Sequence, residues 1–93
     1  MKSKTNVVLT KFAVKQLTKL PKNIKEALRY WPETIERIGI REVRKLTGYH
    51  DEPLKGYRTG QRSIRLNKAY RVIYIETNES IEITTIEVNK HEY

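Results

Sequence analysis

A chain of 93 residues with 38% hydrophobic and 32% charged side chains has room for one domain with a small core, 1–93, and not for two. Cysteine is absent, which removes thiolate chemistry, sulfur-ligated zinc and a disulfide framework, and fits a cytoplasmic protein. The net charge is +8 and lysines interrupt the apolar runs near residue 1, so neither a signal peptide nor a membrane span of roughly 18 apolar residues is expected.

Val7, Val8 and Leu9 form a short β-type run, and Thr10 is placed to cap a helix. Phe12, Ala13, Gln16, Leu17 and Leu20 follow as one stripe at helical spacing, ending at Pro21. Ile24, Ala27, Leu28, Trp31, Ile35 and Ile38 recur at three and four residues and predict a second helix, with a kink or restart at Pro32 and a stop at Gly39. A brief third turn is expected next, with Val43 and Leu46 inward and Arg41, Arg44 and Lys45 exposed.

"GYHDEPLKGYRTG" has loop composition. "QRSIRLN" alternates, with Ile64 and Leu66 on one face and Gln61, Ser63 and Arg65 on the other. "NKA" reads as a turn, "YRVIYIE" as a central strand and "TNES" as a second turn. "IEITTIEV" alternates, slips one residue at Thr84–Thr85 and resumes, which predicts a β-bulge or a strand buried on both faces. The expected architecture is α+β: an N-terminal helical hairpin packed on one face of a small antiparallel meander sheet.

The charge is not spread evenly. Lys55, Arg58, Arg62, Arg65, Lys68 and Arg71 follow one another, and no acid falls between Pro53 and Ile75. A basic block interleaved with Tyr57 and Tyr70 fits a polyanion whose bases can stack. "GYRTGQR" lacks the Gly-Lys-Ser/Thr ending of a phosphate-binding loop, and His50 and His91 lack metal-ligand spacing even with Asp51 or Glu52 added. Ser63 and Ser80 have no histidine nearby in sequence to activate them. One reaction needs neither a metal nor a protein nucleophile: cleavage of RNA by its own 2′-hydroxyl. It requires a base, an acid for the leaving 5′-oxygen, and cations around the phosphorus. His91 has a reference pKa near neutrality, but from the residues alone a solvated tail residue is the favoured reading. Arg65 and Arg71 fit surface strand positions paired with Glu76 or Glu82 as well as they fit catalysis, and spacing leaves both readings open.

Lys55-Gly56, Gly60-Gln61, Ser63-Ile64-Arg65, Asn67 and Tyr70-Arg71 occur in that order within one segment, and the chain closes with "IEVNKHEY". This pattern resembles the RelE superfamily of toxins from bacterial toxin–antitoxin pairs, most closely its HigB branch, over roughly residues 5–93. The resemblance implies a RelE-like fold and a metal-independent messenger-RNA endoribonuclease that works on the ribosome without a cofactor. It also implies silencing by a cognate antitoxin, HigA-like or another acidic or DNA-binding kind.

By the same resemblance, Lys55 binds the scissile phosphate, Arg65 and Arg71 stabilise transition-state charge, His91 transfers a proton, and Tyr93 orients the 2′-hydroxyl or stacks on a base. Arg58, Arg62 and Lys68 are the further expected RNA contacts. The HigB pattern often has a histidine three residues before the lysine, where Glu52 stands here, and an acid two residues before the closing histidine, where Asn89 stands. The base is therefore Glu52, His50 or His91. A ParE-like gyrase inhibitor, a non-catalytic RNA-binding module and an adaptor for acidic peptides are the competing readings.

Overall fold

Thr10 caps the first helix as expected: its hydroxyl accepts from the Ala13 amide at 3.1 Å. The computed structural model describes residues 4–88. Its elements in order are β1 (Val7–Leu9), α1 (Lys11–Leu17), α2 (Lys22–Ile38), α3 (Ile40–Val43), a 3-10 turn at Thr47–Tyr49, β2 (Glu52–Pro53), a 3-10 turn at Gly56–Arg58, β3 (Arg62–Arg65), β4 (Tyr70–Glu76) and β5 (Ile81–Val88).

The five strands form one sheet in the order β1-β5-β4-β3-β2. From β2 to β5 it is the expected antiparallel meander, but β1 runs parallel to β5, so the sheet is mixed. The chain crosses from one edge to the other through the helices, and that long connection is what permits a parallel pairing. Beyond the short β1, helix α1 covers the outer edge of β5. Thr10 donates its amide to the Ile83 carbonyl, and the Gln16 side chain both donates to the Ile86 carbonyl (2.8 Å) and accepts the Ile86 amide (2.7 Å). Gln16 thus takes the place of a strand residue and hides an edge that would otherwise invite another chain. Phe12, expected in the buried stripe, is exposed.

Helix α2 runs unbroken through Pro32, so the chain does not restart there. A helix-interior proline costs about 3 kcal/mol. Ile24, Leu28, Trp31 and Ile35 are all buried along one face of α2, and each contributes roughly 1.5–3 kcal/mol, so packing outweighs the missing donor. Gly39 ends the helix with φ at 86°, a conformation a side chain would strain.

The helices and the inner face of the sheet share one core, centred on Trp31, Ile35, Ile64, Val72, Tyr74, Ile83 and Ile86. The Trp31 and Tyr74 rings are 5.0 Å apart and tilted by 55°. Ile40 and Val43 seat α3, while Leu46 is exposed and Arg44 is half-buried. That reverses the expectation for Leu46 and Arg44. The bulge is where the sequence slips. Ile73 pairs with Thr85 and Tyr74 with Ile83, which leaves Thr84 as the extra residue. Among the described residues no helix is long and apolar enough to cross a membrane.

Candidate functional site

Alternation along β3 and β4 sends neighbouring side chains to opposite faces of the sheet. Ile64, Val72 and Tyr74 enter the helix-covered core, so Arg65 and Arg71 face the other way. The register sets these two arginines directly opposite each other. On the next strand Glu87 lies opposite Arg71, giving a row Arg65–Arg71–Glu87 across three strands. The adjacent row is Ser63–Ile73–Thr85, extended by Glu52 on β2. Ser63 and Ile73 are both buried, although they face away from the helices.

Like charges directly opposite on neighbouring strands repel, and an anion between them relieves the repulsion. Glu87 supplies half of that relief, accepting from Arg71 Nε at 2.9 Å and from Arg58 at 2.7 Å. Burial alone would raise the Glu87 carboxyl, but the hydrogen bonds and charges of Arg58 and Arg71 outweigh it and hold the pKa below the ordinary glutamate value. Among the described residues no carboxylate lies within ion-pair distance of Arg65. Neither Glu76 nor Glu82 is the strand partner of Arg71. Counting straight from the Glu76–Ile81 pair would set Ile86 there, and the Thr84 bulge moves Glu87 into that position.

A small polar hollow opens beside this row, lined by His50, Glu52, Ser63, Arg65, Lys68 and Arg71. Four expected site residues, Glu52, Arg65, Arg71 and Lys68, therefore share one surface, and Arg58 joins it through Glu87. Lys55 is exposed in the turn leading to Gly56, whose φ of 70° opens the 3-10 turn that carries Tyr57 outward. Tyr57 is 97% exposed, an aromatic free to stack.

Arg62 is separate from the rest. It pairs in register with Tyr74, on the other side of the sheet, and donates to Asp51 at 2.7 Å. His91 and Tyr93 lie outside the described residues. Among the described residues no three His, Asp or Glu side chains are grouped to hold a metal.

The central motif sorts by role. Ile64 fills core, and Asn67 accepts from the Ala69 and Tyr70 amides at 2.8 and 2.9 Å to tie the β3–β4 turn. Arg65 is the one exposed residue of β3, and it lines the hollow together with the buried Ser63. Sequence reasoning missed Glu87 and Asp51. Glu87 was hidden by the register shift, and Asp51 is marked only by its buried contacts with Tyr74 and Arg62, which have no local signal.

The sequence matches no protein-family model and no curated protein. Solved structures do match. One chain of the archaeal RelE–RelB complex from Pyrococcus horikoshii aligns with a TM-score of 0.73 and 25% identity, over 99% of this chain and 100% of that one. YafQ from E. coli aligns at 0.70 and 18% identity, over 91% and 93%. The Staphylococcus aureus YoeB dimer gives 0.69 and 20%, over 98% and 100%. Three helices and a five-stranded mixed sheet, aligned over 91–99% of this chain, are the fold it shares with these RelE, YafQ and YoeB structures, a RelE-like fold.

Proposed function

We propose that this protein is the toxin of a toxin–antitoxin pair and an endoribonuclease that cuts messenger RNA by attack of the 2′-hydroxyl, without a metal. The observation that carries this reading is the pair Arg65 and Arg71, set opposite each other on the open face beside Glu52 and His50. Two guanidiniums across neighbouring strands match the extra negative charge that develops on a phosphodiester as the 2′-oxygen adds. Glu52 or His50 removes the 2′-hydroxyl proton, His91 or its neighbours protonate the leaving 5′-oxygen, and Tyr93 orients the sugar or stacks on a base. Lys55, Arg58 and Lys68 hold the flanking phosphates. Arg62, bonded to Asp51 on the other face, supports the scaffold in this reading.

The matched RelE, YafQ and YoeB folds support the toxin reading, and several are complexes with antitoxins. We therefore assign a cognate antitoxin as partner, acidic where it meets the basic face. The finer placement, a HigB-like toxin with a HigA-like antitoxin acting on ribosomes in the cytoplasm, rests on the Gly60-Gln61 to Asn67 motif.

Primer extension on cellular messenger RNA after induced expression tests this reading. New 5′ ends should appear with wild type and vanish with Arg65→Ala and with His91→Ala. Unchanged messages with wild type, or an unchanged cleavage pattern with Arg65→Ala, would overturn it.

A further inference from the structure

The segment that carries His50 and Glu52 is short and exposed, and β2 contributes only Glu52–Pro53 to the sheet edge. Such a segment has little packing of its own to fix the position of a proton-transfer group. Between the two lies Asp51, whose side chain is 0% exposed. Its carboxylate accepts from the Tyr74 hydroxyl at 2.5 Å and from Arg62 Nε at 2.7 Å. The Tyr74 hydroxyl in turn accepts from Arg44 Nε at 3.2 Å, and Arg44 donates to Glu76 at 2.6 Å. One buried carboxylate thereby ties the loop to β3, to β4 and, through Arg44, to the end of α3.

The backbone beside it is also constrained. His50 has φ at 50°, the left-handed region, which a residue with a Cβ adopts at a cost of about 1 kcal/mol or more and keeps only where its surroundings dictate it. Glu52 pairs with Ser63 and so faces the arginine row, while Asp51 points inward to Tyr74. The anchor and the two candidate bases are thus consecutive residues, with the anchor on the dry side and the bases lining the hollow.

We propose that Asp51 and Tyr74 are positioning residues: their buried hydrogen bond fixes the 50–52 segment so that His50 and Glu52 stand at the arginine pair. The cleavage part of this proposal rests on the ribonuclease reading above, and the positional part does not. The link is specific in a way that generic packing is not. Removing only the Tyr74 oxygen leaves the ring against Trp31 and the core filled, while freeing one oxygen of Asp51.

The test uses the full chain with Tyr74→Phe, and Asp51→Asn as a second variant. Amide hydrogen exchange should quicken about tenfold or more across residues 47–53 and stay within about twofold across β4 and β5. In single-turnover cleavage, Tyr74→Phe should lower the maximal rate about tenfold or more, with half-saturation moved less than about twofold. Placed on a His50→Ala, Glu52→Ala background, Tyr74→Phe should have no further effect on that rate.

Exchange in the 47–53 segment that does not change in either variant would overturn the proposal, whatever the activity. A tenfold loss that persists undiminished in the double-alanine background would also overturn it, since the effect would then reach the chemistry by another route. If wild type cleaves nothing while the segment loosens as described, the ribonuclease reading fails and the anchoring stands.

Discussion

Two arginine–carboxylate clusters lie on opposite sides of the same sheet, and they do different work. On the helix side Asp51 is enclosed, with Arg62, Tyr74 and Arg44 arranged around it. On the open side Glu87 bridges Arg58 and Arg71, and all three side chains keep between 24% and 37% exposure. Each joins arginine to one carboxylate. Water reaches the Glu87 carboxylate and not that of Asp51, so Glu87 can give way to an incoming phosphate while Asp51 cannot. A run of cations in sequence therefore does not say which of them meets a polyanion. Arg62 and Arg65 are three positions apart on one strand, and the pleat sends one to each side.

The largest expected effect breaks the enclosed cluster. Asp51→Ala leaves the buried Tyr74 hydroxyl and the partly exposed Arg62 without their acceptor, which should cost about 3 kcal/mol of folding free energy. Glu87→Ala, with partly solvated partners, should cost under about 1 kcal/mol. Urea unfolding of the two variants measures the difference. Equal losses would mean that solvent does not distinguish the two sides.

Next in size is catalysis on the open side. Arg65→Ala and Arg71→Ala should each slow cleavage about 10²-fold, near 2.7 kcal/mol of transition-state stabilisation, with stability changed by less than about 1 kcal/mol. Single-turnover rates and urea midpoints on the same preparations separate the two effects. A variant that loses stability in step with its rate would move that arginine to the structural side of the comparison.

Much of this arrangement was legible beforehand. The period-three-and-four stripe of α2, the cap at Thr10, the stop at Gly39 and the slip at Thr84–Thr85 are local signals, and each has a local cause in the structure. The parallel β1–β5 pairing has no local signal, because it depends on where the helices return the chain. The edge strand at Glu52–Pro53 was masked by its proline, which is tolerated only because an edge position leaves one side of the strand unpaired. The site was legible in its cations and not in its anions. Arg65 and Arg71 follow from alternation, but the partner of Arg71 follows from a hairpin register that one bulged residue changes, and Asp51 is identified only by what surrounds it.

Acid should erode both clusters through their glutamates. Glu76, held by Arg44 and Lys4 against the upward push of its burial, and Glu87, held likewise by Arg58 and Arg71, both sit below the ordinary glutamate value in the folded chain. A carboxyl lowered on folding contributes stability above its unfolded pKa and loses it as pH falls through the folded one. Melting temperature should therefore drop as pH falls below about 4.5, and Glu76→Gln or Glu87→Gln should each flatten that limb by under about 1 kcal/mol, since both are partly solvated. Thermal melts between about pH 3 and pH 6 read it directly. Flattening by Glu87→Gln alone would show that the Arg44–Glu76 pair is saturated by its other bonds.

The smallest effect is the most direct test of which face meets RNA. Lys55 is exposed in the loop and free to neutralise a phosphate, whereas Arg62 is committed to Asp51. Each phosphate neutralised on a single strand releases counterions and contributes about 0.7 to the slope of log affinity against log salt. Lys55→Ala should lower that slope by about this amount and weaken binding most at low salt. Arg62→Gln removes a cation committed to Asp51 and should leave the slope unchanged, even if it loosens the fold, because stability and counterion release are separate quantities. Filter binding of a catalytically silenced Arg65→Ala background at four salt concentrations gives both slopes. A fall in slope with Arg62→Gln equal to that with Lys55→Ala would place RNA across the β3 edge, reaching both sides of the sheet rather than the open face alone.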